Sequence, residues 1–266
     1  KLSDNEEIKL FKAPLLRTNL QVHVHDLYGR ESKIRQLVAL RHYIPGPGIV
    51  YFSLISELQN FSVELSKLGI QHLIYHGQMS PKDRRRSQKA FLESEDKWIL
   101  ATPAFGLGVD KPNVRSVIHC EVPSSLESYF QEIGRAGRDG SLSEAHLLFD
   151  EDDVTIQMDF IKWATPEPDY IRKVFQLLKD YKERVLMEGN DFLRSQLHFY
   201  NKRDFRLETA LNLLERWECI KINEKNARDI QTLEKPIEDF LDKKVNQLRI
   251  ESLNRKLLFM VQWAKL

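Results

Sequence analysis

The ten residues Gln131-Glu-Ile-Gly-Arg-Ala-Gly-Arg-Asp-Gly140 carry the strongest chemical signal in the chain. Arg135 and Arg138 sit three apart where an expected helix breaks into glycines. On adjacent turns of one helix face, both guanidinium groups would converge on one anion. Gly134 and Gly137 would remove side chains where a phosphate must come close. Arginine suits a transferring phosphoryl group, because it is always charged and binds oxygens in a planar fork. In nucleotide hydrolases such a finger is worth about 10³–10⁵ in rate. The plainer alternative is a helix end whose arginines complement the macrodipole. A second string, Ala101-Thr-Pro-Ala-Phe-Gly-Leu-Gly-Val-Asp-Lys-Pro112, follows an apolar run. Glycine turns at the carboxyl ends of parallel strands are where open α/β sheets bind ligands. Thr102 can offer a hydroxyl to a phosphate, and Asp110 can accept from a ribose hydroxyl or from an arginine. Gly106 and Gly108 permit a tight backbone path there.

These strings need elements to hold them. Short apolar runs at Gly48–Ser53, Gln71–Tyr75, Trp98–Thr102, Ser116–Cys120 and Ala145–Phe149 read as buried parallel strands. Helices are expected between them. Glu57 to Leu68 places Leu58, Phe61, Leu65 and Leu68 on one stripe. Ser80-Pro81 reads as an N-cap with proline at the first helical position, and Ser124 with Glu127 has capping-box spacing. Alternating strands and helices predict a parallel sheet covered on both faces. After Asp150 the strands nearly cease. Helices are expected at Ile171–Leu186, Asp191–Tyr200 and Leu207–Trp217, then a short strand at Cys219–Asn223. Three helices followed by a strand or hairpin are the outline of a winged helix, with a small helical bundle as its alternative. The acidic run Asp150–Asp153 is expected to be a solvated helix start.

Composition narrows the field. Lys plus Arg is 40 and Asp plus Glu is 39, a net charge of +1. That excludes a polycationic coat protein and an acidic tail, though not a local basic groove. Two cysteines, Cys120 and Cys219, cannot build a four-cysteine zinc site or a disulfide framework. No apolar stretch approaches the roughly 20 residues that span a membrane, and the polar start is no secretory signal. A cytoplasmic, reducing compartment is the expectation. The chain begins with Lys and is expected to be a piece of a longer one. Lys82, Arg84, Arg85, Arg86 and Lys89 form a charge run that reads as a solvated face. The histidines show no metal-ligand spacing, and His119 and His146 fall in strands as core residues.

In order and spacing, these strings resemble the RecQ family of superfamily-two DNA helicases over about Phe11 to Phe149. Gln131–Gly140 looks like the family's motif VI, Ala101–Asn113 like motif V, Gly48–Ser53 like motif IV and Tyr75-His76-Gly77 like motif IVa. The resemblance implies the second RecA-like lobe of a motor. By it, Arg135 and Arg138 reach the γ-phosphate of ATP held by the first lobe, with Arg138 the arginine finger. Gln131 couples nucleotide state to DNA. Asp110 and Gly108 belong to the nucleotide side. Ser53, His76, Gly77, Thr102 and Ser56 line a track for single-stranded DNA. Where many members have Asn-Ser-Arg in motif IV, this chain has Ser53-Leu-Ile.

The chain has no Gly-x-x-x-x-Gly-Lys-Ser/Thr loop and no strand-end Asp-Glu pair. ATP and Mg²⁺ would therefore be held mainly by the first lobe, and this chain alone should not turn over ATP. One cysteine after motif VI places it beside the shorter bacterial members that lack the zinc module. The expected layout is a lead-in over 1–18, the RecA-like lobe over 19–150 and a boundary helix over 151–168. A winged-helix-like domain over 169–230 and terminal helices over 231–266 complete it. Lys202, Arg203 and Arg206 would meet duplex phosphates. The implied function is 3′–5′ unwinding of single-stranded and forked DNA. The rivals are a DEAD-box-like RNA motor, whose motif VI usually begins His-Arg, and a non-catalytic winged-helix regulator.

Overall fold

The computed structural model describes residues 17–106, 109–197, 204–223, 226–241 and 243–266. The chain divides into two units, one running to Asp153 and taking in Met260–Leu266, the other Val154–Phe259.

The first unit is built on a six-stranded sheet. Its strands are β1 (Leu20–Asp26), β2 (Gly48–Tyr51), β3 (His72–Tyr75), β4 (Trp98–Ala101), β5 (Ser116–His119) and β6 (Ser143–Phe149), in the order β1-β6-β5-β2-β4-β3. Every pairing is parallel. The five apolar runs all become strands, as runs buried on both faces must. Val50, Trp98, Leu100, Ile118 and Leu148 face α1 (Gly29–Tyr43) and α2 (Ile55–Lys67), packing on Leu37, Leu40, Leu58, Phe61 and Leu65. Alternation sends Tyr51, Ala101 and His119 to the opposite face. There lie α3 (Pro81–Leu92), through Phe91, and α4 (Leu126–Ile133), through Tyr129. Helices on both faces of a parallel sheet are the expected RecA-like layering. Leu58 and Leu65 are fully buried; truncating either to alanine would cost about 2–5 kcal/mol.

Local chemistry explains the helix starts. Ser80 accepts from the Asp83 amide with Pro81 in the first turn. For α4 the cap is Ser125, whose hydroxyl accepts from the Ser128 amide, and not Ser124. Ser125 is the residue in extended conformation, the geometry an N-cap requires. Two elements were not anticipated. Leu20–Asp26 is an edge strand with half-exposed polar positions, and α1 carries a weak apolar stripe.

The acidic run is not the solvated helix start its sequence suggests. Asp150 and Asp153 are buried. Asp150 accepts from the amides of Gly29 and Asp152, and Asp153 pairs with Lys33 at 2.8 Å. Only Glu151 and Asp152 face solvent.

The second unit is mainly helical, carried by α5 (Asp152–Ala164), α6 (Pro168–Asp180), α7 (Lys182–Glu188), α8 (Asn190–Gln196), α9 (Arg206–Arg216) and α10 (Lys243–Ala264). The first turn of α5 and the last turn of α10 belong to the first unit. The single helix expected over Ile171–Leu186 is broken at Tyr181, which leaves helical geometry (φ −125°, ψ 36°) and packs on Phe192. After α9 come β7 (Ile220–Asn223) and β8 (Asn226–Thr232), an antiparallel pair. β8 is polar apart from exposed Ala227 and buried Ile230, and it completes a hairpin of the kind the winged-helix outline allows. Ile171, Val174, Phe192, Leu211 and Leu214 form this unit's core with Ile230.

Candidate functional site

Three of the predicted nucleic-acid positions stand in a row. Tyr51, Ala101 and Tyr75 are register partners on neighbouring strands β2, β4 and β3. Phe52, Thr102 and His76 are therefore the next residues out of the sheet at its carboxyl edge, with Ser53 one residue beyond. The Thr102 amide donates to the Tyr75 carbonyl at 3.2 Å, and the Phe52 amide to Ala101 at 2.9 Å, which ties the three exits together. Thr102 and His76 are largely buried. Burial holds the His76 imidazole below its ordinary pKa, so it offers a hydrogen bond rather than a charge. Gly77 is exposed, and a side chain there would meet nothing in the chain itself. Ser56 lies in the first turn of α2.

The arginine string departs from its expected geometry. Helix α4 ends at Ile133, so Arg135 and Arg138 lie in the turn beyond it rather than on a helix face. Gly137 makes that turn with φ +60°. A Cβ on it would lie 2.6 Å from Asn19 Nδ2 and 2.9 Å from the Ser141 carbonyl. Its glycine is thus required by the chain's own packing. Arg135 is half-buried against the second string: a Cβ on Gly106 would lie 2.5 Å from its Nη2. Gly106 makes room for a guanidinium. Arg138 donates to Asp110 Oδ1 at 2.8 Å, with Asp110 82 % exposed. An ion pair so open to water contributes about 0–1 kcal/mol, so an incoming phosphate can replace it at little cost. Gln131 is exposed on α4.

Residues outside the strings hold the turn. Arg17 donates to the carbonyls of Ala136 (3.1 Å) and Gly134. Asn19 Nδ2 donates to the carbonyls of Gly137 and Ser141, both at 2.8 Å. Arg115 pairs with Asp139. Behind Arg135, Tyr51 stacks on His119 at 5.2 Å, and His119 Nε2 meets Glu132 Oε2 at 2.6 Å. Burial drives the Tyr51 and Tyr129 hydroxyls well above their usual pKa. The last turn of α10 packs here as well, with Trp263 5.0 Å from the Tyr129 ring.

Gly108, Lys202 and Arg203 lie outside the described residues. Arg206 is placed otherwise than expected. Its Nε and Nη2 grip buried Asp204 at 2.9 and 2.6 Å, and its guanidinium stacks over Tyr170. An internal acid neutralises it, so it is not presented to a phosphate. A cavity of about 620 Å³ in the second unit, lined by Trp163, Thr165, Arg206, Ile250 and Asn254 among others, contains none of the motif residues.

Residues 30–140 match the helicase conserved C-terminal domain. The probable ATP-dependent DNA helicase RecS of Bacillus subtilis is 35 % identical over 63 % of this chain and 34 % of its own length. The ATP-dependent DNA helicase RecQ of the same organism is 38 % identical over 52 % of this chain and 23 % of its own. The chain thus spans about a quarter to a third of these relatives. Among solved structures, the yeast DEAD-box splicing factor Prp28 aligns with a TM-score of 0.49 and 21 % identity, over 59 % of this chain and 34 % of that one.

Proposed function

We propose, from the match of residues 30–140 to the helicase conserved C-terminal domain and the similarity to RecQ-type DNA helicases, that this chain is the second motor lobe and tail of an ATP-dependent DNA helicase. The observation that carries the proposal is the turn after α4. It brings two guanidinium groups against the second string, one lodged behind Gly106 and one held by the exchangeable pair with Asp110. A first lobe presenting ATP would offer its γ-phosphate to that turn. Arg138 would leave Asp110 for the phosphate and act as the arginine finger, Arg135 would add a second fork, and Asp110 would be freed for a ribose hydroxyl. Attraction between the lobes would then exist with ATP and fade after hydrolysis, a difference that closes and opens a cleft. Among the described residues no His, Cys, Asp or Glu group is arranged to hold a metal ion. The Mg²⁺ that accompanies ATP would be held by the first lobe, and no step here runs through it.

Ser53, Thr102, His76 and Gly77 would hold phosphates of single-stranded DNA, so cleft motion would move the strand, in the 3′–5′ direction by resemblance. In the tail, the helices with the β7–β8 hairpin would act as a winged helix on duplex DNA ahead of the fork. The setting would be the cytoplasm, at the nucleoid. Strand displacement by the whole protein on matched DNA and RNA forks tests this reading. Unwinding of the DNA fork with ATP supports it. Preference for the RNA fork would favour a DEAD-box-like motor, and duplex binding without ATP turnover would favour a regulator.

A further inference from the structure

The row of strand exits at the carboxyl edge has a fourth member. Glu121 follows β5, whose His119 is the register partner of Tyr51 on β2. Its carboxylate reaches sideways to β2 and accepts the amide of Leu54 at 3.1 Å and that of Ser53 through the same oxygen. These are the two amides just ahead of α2, and α2 has no side-chain cap from its own sequence. Glu121 is buried, and its surroundings are built rather than incidental. Lys33 on α1 donates to the Cys120 carbonyl and to Asp153, both at 2.8 Å. Asp150 stands next along that edge, capping Gly29.

We propose that Glu121 is the positioning residue of the strand-gripping turn: it fixes Ser53 and Leu54 by taking both their amides, so that DNA phosphates there are met by side chains rather than by the backbone at the start of α2. The inference rests on the helicase reading and deepens it. It also suits a motif IV in which Ser53-Leu-Ile replaces the commoner Asn-Ser-Arg. With no basic residue in the turn, its shape is what remains to be controlled. Burial, with the charge of Asp153, pushes the Glu121 carboxyl up to about 7. A neutral carbonyl oxygen is therefore an adequate acceptor for the two amides, and glutamine should stand in for glutamate.

Two measurements on the whole protein test the proposal. In the first, Glu121→Ala should speed amide hydrogen exchange in the segment containing Ser53 and Leu54, and Glu121→Gln should restore protection. In the second, Glu121→Ala should raise the single-stranded DNA concentration for half-maximal ATPase about tenfold while changing kcat less than twofold, and Glu121→Gln should bring it back. Unchanged exchange, or exchange that changes without a shift in half-saturating DNA, overturns the positioning role. A proportionate loss of kcat in Glu121→Ala that glutamine does not repair also overturns it, since that marks general damage. If the unaltered protein shows no DNA-stimulated ATPase, the helicase reading itself falls, and this inference with it.

Discussion

Arg138 and Gly137 stand side by side in one turn and ask different things of it. Among the described residues Arg138 is held only by an exposed pair with Asp110, so its removal should leave the fold intact. In the whole protein, Arg138→Ala should lower DNA-stimulated ATP turnover about 10³-fold or more, with ATP binding largely retained. Steady-state ATPase beside a nucleotide-binding titration checks this, and normal turnover would remove the finger role. Gly137 carries no chemistry but has φ +60°, with Asn19 and the Ser141 carbonyl where a Cβ would go. Gly137→Ala should destabilise the first unit by about 2 kcal/mol or more, read as a lower urea midpoint. The two strings were legible because a phosphate site needs arginines and glycines at fixed spacing along one continuous stretch. Their geometry was not. The spacing of Arg135 and Arg138 fits a helix face, but the helix ends at Ile133, the Arg135 and Ala136 amides bond three residues back, and Gly137 turns at positive φ. Glu121 was invisible because its partners Ser53 and Leu54 lie far away in sequence and meet it only through the β2–β5 pairing.

Among the elements, β2, β4 and β5 were readable because strands buried on both faces are unbroken apolar runs. β1 was not, since it alternates His23 and His25 with partly exposed positions along an edge. The sheet brings those histidines to His146 on β6. His25 Nε2 lies 3.0 Å from His146 Nδ1, and His23 stacks on the same ring at 4.9 Å. Burial, then the neighbouring His25 and His23, lowers the His146 pKa to about 3. The unfolded chain takes up that proton near pH 6.5 and the folded chain does not. Stability tied to His146 is thus complete above about pH 7 and declines as pH falls toward 3. By pH 5 the loss would be up to about 2 kcal/mol. His146→Asn should lose less stability than the parent between pH 7 and pH 5, measured by chemical denaturation. Equal slopes would show that other groups dominate.

At the scale of the whole molecule, each unit carries its own core, one around the parallel sheet and one among α6, α8, α9 and β8. The sequence outlined the second unit's helices from their apolar periodicity but not the break at Tyr181, because a side chain's packing on Phe192 leaves no local pattern. The absent phosphate loop gives a direct prediction for the 266-residue chain by itself. It should show no ATP hydrolysis, with or without DNA, in a phosphate-release assay. Detectable turnover would mean that catalysis does not depend on a first lobe.

The edge strand has a practical consequence. The matched helicase domain spans residues 30–140, whereas β1 and β6 lie on either side of it. A protein trimmed to that span would lose both strands, together with Arg17 and Asn19. β5, whose four residues are all buried, would become an open edge of unpaired amides and carbonyls. Such a shortened chain should self-associate, visible as high-mass species in sedimentation, while a chain beginning at Arg17 and running through the last helix should not. The span expected to stay free of self-association is therefore longer at both ends than the matched helicase domain.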